Sequence, residues 1–409
     1  MRRALLSALV VACTSASGCG AKRKPIGRGD AGPSVVISDG RAVDLGAPPA
    51  APEVEPNDTA SLAQRLEGRI GGVVGAASGA GRDVDLYRVA APATTSNDGG
   101  ATWVGTVTLR AGDAAVTLDV LDDVGKPVVT RVAAPHLLAR LTNLRLDVPV
   151  VVRVRHVAKK AEPELVAGYT IEASSVLATA DLEREPNDDP AHANPGGPSV
   201  TGSLDPFDRD LFTLPAAPEG STFEVELTAI PELAPEIRLR RGDETLLTAR
   251  TGKGGELRMR NVPSGPGLVL QVRVLDGASD LPYTLKVGVE APLDAATVEH
   301  EPNDDRAHAT HVALAADSVD LAGYLWPGDV DFFCADSGIG ARVDAMADVD
   351  FGLETFDASG KSLAKANAGK RGSAESVAFD AAARCVKVAA IGRATAFDAP
   401  YRLTISSHP

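Results

Sequence analysis

The chain has 409 residues, which is room for two to four domains, and a formal net charge of −14 at pH 7. Aromatic residues make up only 4% of it, while glycine (40) and proline (28) are plentiful, so Val, Leu, Ile and Ala must build its cores between many turns. This composition favours several small β domains over one large enzyme core. The acidic balance argues against nucleic acid or an anionic membrane surface as a partner.

Residues 1–18 are predicted to be the signal peptide of a bacterial lipoprotein. Two arginines give a positive start, and the apolar run 4–12 is too short to span a bilayer. Small residues lead to Cys19, which is predicted to carry the lipid after cleavage. Cys13 also fits the pattern with a very short signal, and an ordinary secretory signal is the other alternative. The prediction places the protein in the cell envelope, at the outer membrane, with membrane contact through the lipid anchor only.

The next segment, residues 19–52, is rich in Gly, Ala and Pro and shows little hydrophobic periodicity. Such a segment cannot bury enough apolar surface to fold by itself. It is therefore predicted to be a flexible, disordered tether between the anchor and the folded part.

After the tether the chain repeats itself three times, and each copy opens on an E-x-E-P-N-D segment, at Glu53, Glu183 and Glu299. Each copy continues to a D-x-D pair followed by aromatic or apolar residues, and closes on a strand that begins with tyrosine. The spacing is that of domains and not of solenoid repeats. The predicted boundaries are 53–176, 177–292 and 293–409.

Between these signatures the sequence is strand-like. Residues 116–121 run into a turn at 123–126, residues 222–227 alternate strictly, and residues 385–390 are typical of a buried strand. Short strands separated by turn signals predict an all-β chain of three tandem antiparallel β-sandwiches. Helix is expected only as a turn or two after each P-N-D.

The two acidic signatures predict a metal site. In an extended strand, side chains alternate, so E-x-E and D-x-D each place both carboxylates on one face. If the signatures meet, their like charges require a cation, and hard oxygen donors select Ca²⁺ over zinc. The alternative is a plain turn with solvated aspartates. The third copy is the clearest candidate, because Arg82 and Arg209 stand beside the D-x-D pairs of the first two copies as counter-charges.

Taken together, the signatures resemble the bacterial pre-peptidase C-terminal domain, a jelly-roll β-sandwich appended to secreted proteases and collagenases. The resemblance covers nearly everything from Glu53 to Pro409, in three copies, and is closest at residues 328–333, G-D-V-D-F-F. In the calcium-binding members of that family the E-x-E-x-N-D residues and two later aspartates hold the metal. No peptidase domain accompanies the copies in this sequence.

The resemblance implies a calcium set of six residues in each copy. These are Glu299, Glu301, Asn303, Asp304, Asp329 and Asp331 in the third copy, Glu53, Glu55, Asn57, Asp58, Asp83 and Asp85 in the first, and Glu183, Glu185, Asn187, Asp188, Asp208 and Asp210 in the second. The D-x-D spacing is shorter than the family's usual one. One aspartate of each pair is therefore expected to act on the metal only indirectly.

Two further pairs of residues stand out in the third copy. Cys334 and Cys385 are predicted to form one structural disulfide, since export places them in an oxidising compartment. Tyr324 and Trp326 are a candidate exposed aromatic pair for a sugar or protein ligand. The alternative for this pair is packing against the neighbouring domain.

The sequence contains no H-E-x-x-H, G-x-S-x-G, Walker or CxxC motif, so the chain is predicted not to be an enzyme. We expect a non-catalytic exported lipoprotein that acts as a calcium-stabilised binding or spacer array at the cell envelope. Its expected partner is an unknown extracellular or periplasmic protein or polysaccharide. The alternatives are an accessory or chaperone-like partner of a secreted hydrolase, a carbohydrate- or protein-binding surface module, and an unrecognised hydrolase that uses the clustered acids.

Overall fold

A computed structural model of the full chain gives the architecture. It describes residues 36–38, 41–43, 50–75, 83–92, 102–157, 166–204, 208–277, 279, 281–291, 297–314, 316–392 and 396–408. The predicted signal peptide, Cys13 and Cys19 lie outside the described residues.

The chain divides into two units, residues 1–49 and residues 50–409. In the first unit two short strands, β1 (Val36–Ser38) and β2 (Arg41–Val43), pair as an antiparallel hairpin. The rest of that unit, and with it most of the predicted tether, lies outside the described residues.

The second unit is all-β, as predicted, and consists of three β-sandwiches in chain order. The alternation read from the sequence is the physical basis of this fold. In the strand 222–227, for example, Phe223, Val225 and Leu227 point into the core, while the residues between them are half-buried. Each sandwich has its own core of branched aliphatic residues between two sheets.

The first sandwich has two five-stranded sheets, with strand orders β10-β7-β12-β5-β3 and β4-β6-β11-β8-β9. Its strands are β3 (Ala51–Pro52), β4 (Gln64–Arg65), β5 (Arg69–Val74), β6 (Val84–Val89), β7 (Trp103–Ala111), β8 (Val116–Leu121), β9 (Pro127–Ala133), β10 (Leu138–Arg145), β11 (Val150–His156) and β12 (Ala167–Leu177).

The second sandwich pairs a five-stranded sheet, β13-β15-β20-β17-β18, with a four-stranded one, β14-β21-β16-β19. Its strands are β13 (Asn194–Pro195), β14 (Val200–Gly202), β15 (Arg209–Thr213), β16 (Thr222–Leu227), β17 (Ala234–Arg241), β18 (Glu244–Arg250), β19 (Leu257–Pro263), β20 (Leu268–Asp276) and β21 (Tyr283–Glu290).

The third sandwich repeats this arrangement, with orders β22-β24-β29-β26-β27 and β23-β30-β25-β28. Its strands are β22 (Thr310–His311), β23 (Ser318–Leu325), β24 (Val330–Cys334), β25 (Ile339–Val343), β26 (Phe351–Asp357), β27 (Ser362–Ala366), β28 (Glu375–Asp380), β29 (Ala383–Ala390) and β30 (Ala396–Ser406).

Two local expectations differ from the structure. The long strands are antiparallel, but the short edge strands β3, β4, β13 and β22 pair in parallel with their neighbours. The segments after P-N-D form turns, and no helix occurs among the described residues. In the third copy the Asp305 carboxylate accepts hydrogen bonds from the backbone N–H groups of Ala307 and His308, which satisfies those donors in a turn without further helix.

The predicted disulfide is confirmed. Cys334 in β24 lies directly opposite Cys385 in β29, with their Cα atoms 4.1 Å apart. The bond therefore ties two adjacent strands of one sheet. No helix of the described residues has the length and apolar character needed to cross a bilayer.

Candidate metal centre

The E-x-E segment and the D-x-D strand meet at one end of every sandwich. In each copy, one oxygen from each Glu of E-x-E and one from the second Asp of D-x-D lie within 4.8 Å of one another. The three groups, called here the first, middle and third acidic sites, are Glu53, Glu55 and Asp85; Glu183, Glu185 and Asp210; and Glu299, Glu301 and Asp331. The structure thus brings together nine of the eighteen residues predicted as ligands.

The first aspartate of each D-x-D lies outside this close group and has another partner. Asp83 accepts a hydrogen bond from the Gly75 N–H at 2.6 Å, and Asp329 accepts one from its neighbour Val330. Asp208 instead receives the guanidinium of an arginine from the first sandwich. Asp58, Asp188 and Asp304 of the P-N-D turns are likewise not in the close groups.

The asparagine of P-N-D fixes the E-x-E segment onto the D-x-D strand. Asn57, Asn187 and Asn303 are fully buried. Each donates its backbone N–H to the second Glu of E-x-E, at 2.8–3.0 Å, and its carbonyl accepts from the residue after the second Asp, at 3.0–3.2 Å. The preceding Glu–Pro bond is cis in all three copies. Each acidic site therefore has the same backbone framework.

The tyrosine that opens each closing strand belongs to the acidic site, which sequence reasoning missed. Tyr169 donates to Asp85 at 2.5 Å, Tyr283 to Asp210 at 2.6 Å and Tyr401 to Asp331 at 2.5 Å. Each hydroxyl also lies 2.8–3.4 Å from the first Glu of E-x-E. The recurrence of tyrosine at the start of all three closing strands was the available signal.

A glycine opposite each tyrosine makes room for this contact. Gly72, Gly202 and Gly323 are the cross-strand partners of the three tyrosines. A Cβ at any of them would fall 2.2–2.4 Å from the tyrosine ring or the Glu carboxylate. The N–H of the following residue also donates to that carboxylate, at 2.6–2.8 Å. The glycine therefore sets the position of the first Glu.

Burial makes full ionisation of these carboxylates unfavourable. It raises the pKa of Asp85 and of Asp331 to about 8, and that of Glu183 to about 7. Burial together with the neighbouring Asp331 also raises the pKa of Glu301 well above its ordinary value. A cation among these groups would remove the repulsion and favour the ionised forms.

The third site presents oxygen atoms that have no partner. Glu301 Oε1, Asn303 Oδ1 and Asp331 Oδ1 are all buried without a hydrogen bond in the part of the chain that the structure describes. A buried acceptor left this way is costly, and three of them in one acidic site form a donor set for a hard cation. In the first site, Asp85 Oδ1 and the side-chain amide of Asn57 are also buried without a hydrogen-bond partner among the described residues. The Glu55 side chain of this site is exposed.

The middle and third sites are attached to the sandwich before them. The backbone carbonyl of Asn143 in β10 accepts a hydrogen bond from the Glu185 N–H at 2.9 Å. The side-chain amide of Asn143 donates a second hydrogen bond to the Glu183 carboxylate at 3.1 Å. Asn261 in β19 donates its amide to the Glu299 carbonyl, also at 3.1 Å. Both asparagines have positive φ, 55° and 57°, a conformation that asparagine tolerates better than most residues. No sequence signal marked them.

The prediction of an exposed aromatic pair at Tyr324 and Trp326 is wrong, and the packing alternative is correct. Trp326 is 1% exposed and belongs to the hydrophobic core of the second sandwich, although it lies on the third. Tyr324 is half-buried beneath the Arg260 guanidinium of the second sandwich, 5.5 Å from the ring centroid. Both aromatic rings therefore serve the junction between these sandwiches.

Comparison with known proteins does not assign a family. No family model matches the chain, and no curated protein matches it. Among solved structures, the PBSX exported protein XepA is 12% identical, over 51% of this chain and 85% of that one, with a TM-score of 0.20. The CUB1-EGF-CUB2 domains of rat MASP-1 are 7% identical over 52% and 98%, with a TM-score of 0.16. The BSP domain of a biofilm-associated protein is 10% identical over 83% and 66%, with a TM-score of 0.17. Scores this low carry no argument about function.

Proposed function

We propose that this chain is a non-catalytic, exported lipoprotein whose sandwiches form a calcium-stabilised binding or spacer array at the cell envelope. The observation that carries the proposal is the third acidic site. Oxygens of Glu299, Glu301 and Asp331 lie within 4.8 Å of one another there, and Glu301, Asn303 and Asp331 each have a buried oxygen without a hydrogen-bond partner. At the third site, Glu299 and Asp331 are 2% and 0% exposed, so these two carboxylates are not accessible to a polymeric substrate.

At the third site, Glu299, Glu301, Asn303 and Asp331 would hold the ion. Calcium would supply positive charge and accept carboxylate and amide oxygens, which is the donor chemistry present. The protein's own contribution is positional. Tyr401 holds one oxygen of Asp331, and the Asn303 N–H holds one oxygen of Glu301, which leaves the other oxygen of each carboxylate for the ion.

Calcium is expected to raise the stability of the intact chain. Ligand that binds only the folded state stabilises it by about 2.7 kcal/mol at a free concentration of 100 times Kd. Thermal unfolding, followed by circular dichroism in calcium and in chelator, should therefore show a higher midpoint in calcium. Asp331→Asn should reduce the difference between the midpoints in calcium and in chelator. The substitution removes a negative charge from the site and replaces one carboxylate oxygen by an amide group.

The control for that experiment is Asp320→Asn, on an exposed position of the same sandwich. It should keep the full calcium response. Equal midpoints in calcium and in chelator for the unaltered chain would refute the calcium part of the proposal.

Lipid attachment at Cys19 has its own test. Cells that express the intact chain would be fed a labelled fatty acid, and the protein isolated. Cys19→Ala is expected to lose the label almost completely, whereas Cys13→Ala should retain it, because the predicted signal places acylation at Cys19. If only Cys13→Ala loses the label, Cys13 is the acylated residue. If the unaltered chain carries no label, the signal is an ordinary secretory signal.

A further inference from the structure

The middle acidic site differs from the other two in what surrounds it. Arg131 of the first sandwich lies on the core face of the edge strand β9, between buried Val129 and Ala133. Its guanidinium leaves that core and binds Asp208 of the second sandwich, with Nη2 2.5 Å from Oδ1. The two side chains are 7% and 4% exposed, so this is a buried ion pair across the junction.

Strand register shows why no equivalent arginine reaches the third site. Cross-strand pairing leads from the second Asp of D-x-D, across two strands, to one position on the edge strand of the same sheet. The pairings are Asp85–Val154–Leu118–Arg131 in the first sandwich, Asp210–Val272–Ile237–Ala249 in the second and Asp331–Val388–Leu353–Ala366 in the third. The position that supplies a guanidinium to the middle site is thus alanine in the sandwich that precedes the third site.

The second difference is the orientation of the P-N-D amide. In the third copy, the Asn303 Nδ2 donates to the Thr310 hydroxyl at 3.3 Å, so Oδ1 faces the acidic site. In the second copy, asparagine stands where the third has Thr310. The backbone of Arg184 fixes the Asn194 amide, accepting from its Nδ2 and donating to its Oδ1. Asn187 then satisfies its own partners only with its amide turned over, so that its oxygen accepts from Asn194 Nδ2 at 2.8 Å and its nitrogen donates to Asp210 Oδ1 at 3.3 Å.

Those two differences change the chemistry of the middle site. An amide nitrogen that points at Asp210 satisfies the oxygen that is left unpartnered on Asp331, and an N–H donor cannot ligate a cation. The Arg131 guanidinium meanwhile places one positive charge beside these carboxylates, on Asp208. The middle site therefore keeps its three carboxylates but lacks the free amide oxygen and the unpartnered aspartate oxygen that the third site offers to a cation.

We infer that the middle acidic site is a joint between the first two sandwiches, which takes the Arg131 guanidinium and the Asn187 amide in place of a metal ion. Cations then bind only at the first and third sites. The stoichiometry rests on the calcium proposal above, whereas the joint itself rests on the Arg131–Asp208 pair and is independent of any metal.

The deciding measurement is the number of calcium ions bound per intact chain, from equilibrium dialysis with calcium-45. Two ions are expected, and Asp85→Asn and Asp331→Asn should each remove one. The double variant Arg131→Gln, Asn194→Thr is expected to gain a third ion. Three ions in the unaltered chain would overturn the inference, as would a folded double variant that still binds two.

A second measurement separates this inference from the calcium proposal. In chelator, Arg131→Gln should lower the urea midpoint of the intact chain, because the buried Asp208 carboxylate would lose its ion pair with the guanidinium. Arg209→Gln, whose exposed side chain adjoins Asp208 in sequence, is the matched control and should leave the midpoint unchanged. If the unaltered chain binds no calcium, the calcium proposal fails, and this comparison decides the joint. Equal midpoints for the two variants would overturn it.

Discussion

Trp326→Ala is expected to lower the free energy of unfolding by about 3–5 kcal/mol, the range for removing a buried tryptophan. Trp326 follows β23 of the third sandwich, but its indole ring is 1% exposed within the core of the second. The substitution would leave a cavity between two sandwiches and remove a buried apolar contact that joins them. Urea unfolding of the intact chain, followed by far-ultraviolet circular dichroism, would measure the loss.

Trp326→Phe is the matched control. The indole Nε1 is buried without a hydrogen-bond partner among the described residues, so phenylalanine would lose no hydrogen bond and would keep most of the apolar volume. The loss in the free energy of unfolding should be well below that of Trp326→Ala, because phenylalanine leaves a smaller cavity. If both variants unfold at the parent's urea midpoint, Trp326 does not hold the two sandwiches together.

Loss of the disulfide is expected to destabilise the third sandwich by about 2–4 kcal/mol. The bond closes a loop of 51 residues, so it removes much of the conformational freedom of the unfolded chain. The pair Cys334→Ala, Cys385→Ala tests this without leaving a buried thiol beside Val386. Unfolding in urea should begin at lower concentration than for the parent, and the difference reports the contribution of the bond.

A reducing agent provides the control for the disulfide. It should shift the urea midpoint of the parent towards that of the alanine pair, and should have no effect on the pair itself. A parent whose midpoint is insensitive to reduction would show that the cross-link adds nothing to adjacent strands already held by the sheet.

Local pattern was sufficient for much of the fold. The alternation at Phe223, Val225 and Leu227 predicted a half-buried strand, and the turn signals between strands predicted sandwiches. Both features depend on residues close together in the sequence, where side-chain direction follows from the strand period. The meeting of E-x-E and D-x-D was a condition of the metal prediction and did not follow from the strand period, which fixes side-chain direction only within each signature.

Contacts that depend on tertiary register could not be predicted in this way. Alternation places both aspartates of D-x-D on one face, so the strand period does not decide which of them enters the site. Asp85, within β6, does so, whereas Asp83 precedes the strand and accepts the Gly75 N–H. Arg82 and Arg209 were the predicted counter-charges because they adjoin the signatures. Arg131, which contacts Asp208 instead, lies in a different sandwich 77 residues away in sequence. Arg131 shares a face of β9 with Val129 and Ala133, but the opposite face also carries two valines. The alternation therefore did not show which face of β9 lies inward.

The two junctions also determine how the chain can be divided for experiments. The second sandwich contacts Arg131 of the sandwich before it through Asp208, and its core includes Trp326 of the sandwich after it. Excised at its sequence boundaries, it would lose the guanidinium that pairs with Asp208 at one end and would have an open apolar cavity at the other. The smallest autonomous piece that contains it intact is therefore the whole three-sandwich array, and single-module fragments would report on the damage of excision.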